Sequence, residues 1–118
     1  MLHQSGKRKL NLKEPHRRAL LRNQTIHLIL NGCLTSTKTQ VKAVQQLAEK
    51  VVTVARKGSD FNTQRRLRAL LPYKQDAVVK LLKEIATRYA TRNGGYTRVI
   101  SMGKRMSDTA KVARLEWV

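Results

Sequence analysis

Val41, Val44, Leu47, Ala48, Val51 and Ala55 recur every three or four positions, the period of a helix with one apolar face. Thr37 precedes the stripe with Gln40 three positions on, a capping-box spacing. Gly58 follows it, so the pattern predicts a helix from Thr37 to about Lys57. At 118 residues the chain is the size of one compact domain. Everything else has to be arranged around that apolar face.

Upstream, "PHRRALLRNQTIHLILNG" predicts a helix that starts near Pro15 and stops at Asn31-Gly32. Ala19, Ile26 and Leu30 form its stripe, broadened by Leu20, Leu28 and Ile29. "CLTS", between turn residues, is short enough only for a strand. Downstream, Ser59 or Asp60 caps "FNTQRRLRALL", which Pro72 ends by removing an N–H donor. Leu67, Leu70 and Leu71 face inward there, with Arg65, Arg66 and Arg68 outside. A fourth helix begins near Gln75 or Asp76 and carries Val78, Leu82, Ile85 and Tyr89 on one face beside Leu81. After Asn93-Gly94-Gly95 the period becomes extended: "YTRVISM" and "AKVARLEWV" flank "GKRMSD" as a hairpin, with Ala113, Leu115 and Trp117 facing the helices. The fold class is therefore α+β, several helices over a small sheet built from one early strand and a C-terminal hairpin. Residues 1–14 hold few apolar side chains and read as an extended basic arm, leaving 15–118 as the single globular domain.

The charge balance then decides the partner. Twenty-five Lys and Arg against seven Asp and Glu give a formal net charge of +18. Such self-repulsion opposes compaction unless a polyanion neutralises the surface. Cationic clusters recur in the arm (Lys7, Arg8, Lys9, Lys13), at the start of the first helix (Arg17, Arg18, Arg22), on the third helix, in "TRNGGYTRV" (Arg92, Arg98) and in "GKRMSD" (Lys104, Arg105). Each cation set on a phosphate releases condensed counterions, so affinity grows with the number of contacts and falls steeply with salt. In "RNGGYTRV", two glycines permit close backbone approach. Tyr96 there has two readings of equal standing: a platform for a base or ribose, or a core side chain beside a turn.

Other chemistry finds little footing. Cys33 is the only cysteine, which excludes an internal disulfide and a multi-cysteine zinc site; it reads as a small buried hydrophobe. His16 and His27 share a helix but stand about 16 Å apart, too far to close a metal site. The acids Glu14, Glu49, Asp60, Asp76, Glu84, Asp108 and Glu116 show no close pair, and there is no P-loop or nucleophile elbow. No enzyme, cofactor, metal or small-molecule substrate is expected. No apolar run approaches the ~20 residues that span a bilayer, and the first residues lack the apolar stretch of a secretory signal, so the expected location is cytosolic, without membrane insertion. An architectural duplex-DNA-binding protein of the nucleoid is the alternative to an RNA-binding one, although no exposed apolar wedge for a minor groove is evident.

Several blocks together resemble the bacterial-type large-subunit ribosomal protein family seventeen: His3 with "GKRKLN", "HRRALLRNQTIHLI", "GCLTST", "EKVVTVARKG" and, most distinctively, "LLKEIATRYATRNGGYTRVI". Met106-Ser107, where the family usually has glycine and more arginine, departs from the pattern. The resemblance implies about four helices on a small mixed sheet, and a structural, non-catalytic role bound to large-subunit ribosomal RNA near the outer opening of the peptide tunnel. Neighbouring large-subunit ribosomal proteins would abut it, in a bacterial or organellar ribosome. Carried over by position, the RNA-contact candidates are His3, Lys7, Arg8, Lys9, His16, Arg17, Arg22, Asn23, Tyr96 and Arg98, to which the charge clusters add Lys13, Arg18, Arg92, Lys104 and Arg105. Replacing Lys7, Arg8 and Lys9 together with alanine is expected to flatten the salt dependence of RNA binding, read as the slope of log affinity against log salt; an unchanged slope would exclude the arm as a phosphate-binding element.

Overall fold

The computed structural model describes residues 10–58 and 60–118; the expectations for His3, Lys7, Arg8 and Lys9, and for Ser59 as a cap, lie outside the described residues. In chain order the elements are α1 (Glu14–Asn31), β1 (Cys33–Thr37), α2 (Lys38–Ala55), α3 (Phe61–Leu70), α4 (Gln75–Lys80), β2 (Thr97–Lys104) and β3 (Lys111–Trp117). The helical path of α4 continues through a wider turn (Leu81–Ile85) and a last α-helical turn (Ala86–Arg88).

Local chemistry accounts for most of these ends. Pro15 sits in the first turn of α1, where its missing N–H costs nothing. Gly32 closes α1 at φ 85°, its N–H reaching Leu28 O at 2.9 Å, a conformation that favours glycine. Asp60 caps α3 by accepting from the Thr63 N–H at 3.0 Å. The expected capping box at the start of α2 does not form. Thr37 makes no side-chain cap bond, and the Gln40 side chain accepts instead from Ser36 Oγ at 2.7 Å and Gln24 Nε2 at 3.2 Å. These bonds tie α2 to β1 and α1.

α2 is the centre of the molecule. Val41, Ala43, Val44, Ala48, Val51, Val52, Val54 and Ala55 are buried, more than one face of a surface helix supplies, because α2 packs against α1, α3 and all three strands. On α1 the burial is displaced from the expected stripe: Thr25, Ile26, Leu28 and Ile29 are buried, whereas Ala19, Leu20 and Leu30 are only half-buried. The first turns of α1 thus lie at the core's edge. In α4 and its continuation, Leu81, Ile85 and Tyr89 are buried at intervals of four. An α-helix advances such a row by about 40° per step of four, still within one apolar face; the Ala86 N–H reaching back to Leu81 O, one residue further than in an α-helix, reduces that drift.

The three strands pair in the order β1-β3-β2, and both pairings are antiparallel. This corrects the expected mixed sheet. β1 and β2 run the same way, but β3 lies between them and they never pair. Leu34, Leu115 and Val99 align across the sheet, and Ala113, Leu115 and Trp117 face the helices as the alternation predicts. Trp117 Nε1 donates to Leu28 O at 3.3 Å, and the Tyr89 ring lies 5.4 Å from that of Tyr96 and 6.3 Å from that of Trp117. Cys33, expected to be buried, is a half-buried free thiol: Leu34 points into the core, so its neighbour points to the other face.

Leu115→Ala in the central strand is expected to lower the unfolding free energy in urea by about 2–5 kcal/mol. Thr35→Ala, on the exposed face of β1, should change it by less than about 0.5 kcal/mol. Equal losses would mean that the two faces have been wrongly assigned.

Candidate nucleic-acid interface

The described candidates fall in three places. The first is the amino-terminal half of α1, where Lys13, His16, Arg18 and Asn23 are exposed and Arg17 and Arg22 half-buried. Arg18 and Arg22, one turn apart, rim a groove of about 300 Å³ with Leu21, Ala43, Gln46, Leu47 and Leu70. The helix supplies the spacing and the α1–α2 packing supplies the floor. Arg18 also pairs with Glu14 at 2.6 Å, an exposed pair of small energetic weight.

The second place is the connection into β2, and here the two readings of Tyr96 separate. Its side chain is 1% exposed, with Tyr89 against the ring, so no face remains for a base. Tyr96 is a core residue, and the stacking role is withdrawn. Its hydroxyl accepts from Arg56 Nη1 at 3.0 Å and lies 3.5 Å from Thr53 Oγ1. Burial alone would push this phenol up, but hydrogen bonds from Thr53, Arg56 and the Gly94 backbone, with the Arg56 charge, bring it below the ordinary tyrosine range. Arg56 also reaches Ala90 O at 3.1 Å and Asn93 Oδ1 at 3.2 Å. One guanidinium from the end of α2 therefore fixes the loop that presents Arg92 and Arg98. Periodicity gave no signal for Arg56, since its partners lie 34 to 40 positions away.

Arg98 is exposed on the sheet's outer face but not free. Glu116 lies directly across from it on β3 and accepts from Arg98 Nε at 2.6 Å, while Arg114 Nε is 3.3 Å from the other carboxylate oxygen. Arg92 is exposed and has no carboxylate partner among the described residues.

The third place is the hairpin tip. Lys104 closes β2 and Arg105 opens the turn, where it grips Asp108 with two bonds, Nε to Oδ1 at 3.0 Å and Nη2 to Oδ2 at 2.7 Å. The Ala110 N–H donates to the same carboxylate at 3.2 Å. The Arg105 hydrogen bond first, and the backbone bond second, hold the Asp108 carboxyl down at about 2. The strip Ile100, Met102 and Met106 is exposed beside these cations, with Met106 fully so. Sequence reading passed over it, because alternation in β2 is broken by an irregularity between Ser101 and Lys104.

The structure does not gather the candidates into one pocket. Arg98 and Lys104 stand at opposite ends of β2, roughly 20 Å apart at the rise of a strand, and the α1 group is separate again. What unites them is sign. Among the described residues only Arg18, Arg98, Arg105 and Arg114 pair with a carboxylate, no cluster of histidine, cysteine or acidic residues could hold a metal, and no helix is long and apolar enough to cross a membrane. A dispersed cationic surface suits a large, folded polyanion touched at many phosphates.

Residues 20–118 match the family model described as Ribosomal protein L17. The chain is 42% identical over 118 residues to the large ribosomal subunit protein bL17 of Campylobacter hominis, covering 100% of this chain and 98% of that one. It is 44% identical to the bL17 of Campylobacter lari, covering 100% and 99%, and 44% identical to that of Clostridium novyi, covering 94% and 96%.

Because the Asp108 carboxyl is held low in the folded protein, its contribution to the hairpin tip is complete above the unfolded aspartate value of about 3.9. It is lost as pH falls through about 2. A carbon-detected NMR titration of Asp108 is expected to show that low midpoint in the wild type and a return toward the ordinary value in Arg105→Gln; an ordinary midpoint in the wild type would remove the two-pronged grip.

Proposed function

The chain belongs to the ribosomal protein L17 family, and from that premise we propose that it binds folded large-subunit rRNA by phosphate contacts spread over its arm and its globular surface. It is a protein of the large ribosomal subunit with a structural, not a catalytic, role. The observation that carries the rRNA-binding reading is the surplus of cations: with four exceptions, no described Lys or Arg has a carboxylate partner. A free protein gains nothing from such a surface, whereas each cation placed on a phosphate adds to affinity by counterion release.

In this reading residues 1–14 act as an extended arm and 15–118 as the body that orients it. The arm supplies His3, Lys7, Arg8, Lys9 and Lys13; α1 supplies His16, Arg17, Arg18, Arg22 and Asn23; the hairpin and its approach supply Arg92, Arg98, Lys104 and Arg105. Contacts follow shape and phosphate spacing, since the deep, narrow major groove of A-form RNA hides base edges from side chains. Arg98 and Arg105 engage phosphate while keeping Glu116 and Asp108 as orienting partners. The family resemblance supports a place near the outer opening of the peptide tunnel, against neighbouring large-subunit proteins, and the exposed Ile100, Met102 and Met106 offer such neighbours an apolar contact.

In competition at physiological salt, a transcript of bacterial large-subunit rRNA is expected to displace the protein from duplex DNA of equal length, and tagged protein in a bacterial lysate is expected to sediment with large subunits. Equal or stronger retention by the duplex, or absence from those particles, would overturn the reading.

A further inference from the structure

One open cleft contains none of the residues placed above in the interface. About 470 Å³ in volume, it is lined by Thr37, Lys38, Thr39 and Lys42, where β1 passes into α2, and by Ala110 and Lys111, where β3 begins. Lys38 and Lys42 are one helical turn apart, a spacing at which like charges repel. Lys111 stands directly opposite Lys104 across the β2–β3 pairing, where like charges again destabilise. No carboxylate among the described residues pairs with any of the four.

The geometry points to this cleft as a binding site for the phosphodiester backbone of RNA, with Lys38, Lys42 and Lys111 on phosphate oxygens and Thr37 and Thr39 as hydroxyl donors. The inference rests on the rRNA-binding reading and adds to it a place and three residues. One repulsion lies inside the concave surface and the other reaches it through Lys111, neither with a carboxylate partner among the described residues, and a bound polyanion relieves both. The lining has no aromatic ring to stack a base and no guanidinium fork for paired hydrogen bonds. Ammonium groups on flexible stems act as point charges and read no sequence. The cleft therefore selects a backbone and not a nucleotide.

The test uses the full chain and a transcript of bacterial large-subunit rRNA over a range of salt. The K38Q/K42Q/K111Q variant is expected to keep its fold by circular dichroism and melt no lower than wild type. Its slope of log affinity against log salt should be shallower by about 2 to 3, near one per lost phosphate contact. A second variant, K50Q/K57Q/K74Q, removes equal charge from exposed lysines elsewhere and should change the slope by less than half as much. An unchanged slope in the first variant, or an equal change in both, overturns the cleft while leaving rRNA binding intact. Inorganic phosphate that shifts the NMR signals of Lys38, Lys42 and Lys111 at concentrations where the rRNA transcript leaves them unmoved would reassign the cleft to a small anion. A wild type indifferent to the transcript at low salt overturns the rRNA-binding reading itself.

Discussion

Burial of α2 on several sides at once is the constraint from which the rest of the molecule follows. Its valines and alanines are small, so α1, α3 and the sheet pack around it with few large side chains. A helix walled in this way has no room for cations along its middle. Its lysines are displaced to its start, its exposed side and the loop beyond, and Arg56 at its end turns inward, its two terminal nitrogens reaching Tyr96 Oη, Asn93 Oδ1 and Ala90 O. The same packing leaves the sheet one dry face and one wet one, the wet face carrying Arg98, Glu116 and Arg114.

Stability and function share one conflict in this chain. The core must overcome the self-repulsion of a strongly cationic surface, and the few carboxylates are spent locally: Asp60 on a helix cap, Asp108 on a turn, Glu116 on two arginines of the sheet. None is positioned to neutralise the amino-terminal half of α1 beyond the single exposed Glu14–Arg18 pair. The acids organise the backbone that displays the cations and leave most of the cations unpaired. Such an arrangement is costly in isolation and favourable against RNA, which fits a family whose members are built into a ribosomal subunit.

Arg56 and the wider turn at Leu81–Ile85 show how distant residues set a surface that looks local. The two glycines before β2 free the backbone, yet the loop has a defined course because a guanidinium from another helix holds it at three points. Beyond the wider turn, Tyr89 packs against Tyr96 and Trp117, and its hydroxyl donates to Val118 O at 2.6 Å. The orientation of the hairpin, and with it of Lys104 and Arg105, is inherited from that aromatic cluster.

By itself the sequence determined the α+β class, the extents of α1 and α3 to within a residue or two, the strand face bearing Ala113, Leu115 and Trp117, and the sign of the partner. These depend on short-range periodicity, on caps and glycines, and on a charge sum that no folding can alter. Only the tertiary structure decided that Tyr96 is core and not platform, that Arg98 is held by Glu116, that Gln40 serves Ser36 and Gln24 in place of a cap, that the sheet is wholly antiparallel, and that Lys38, Lys42 and Lys111 share a cleft. Each of these depends on residues far apart in the chain meeting in space. Periodicity records which face of an element is apolar, but not which element comes to cover it.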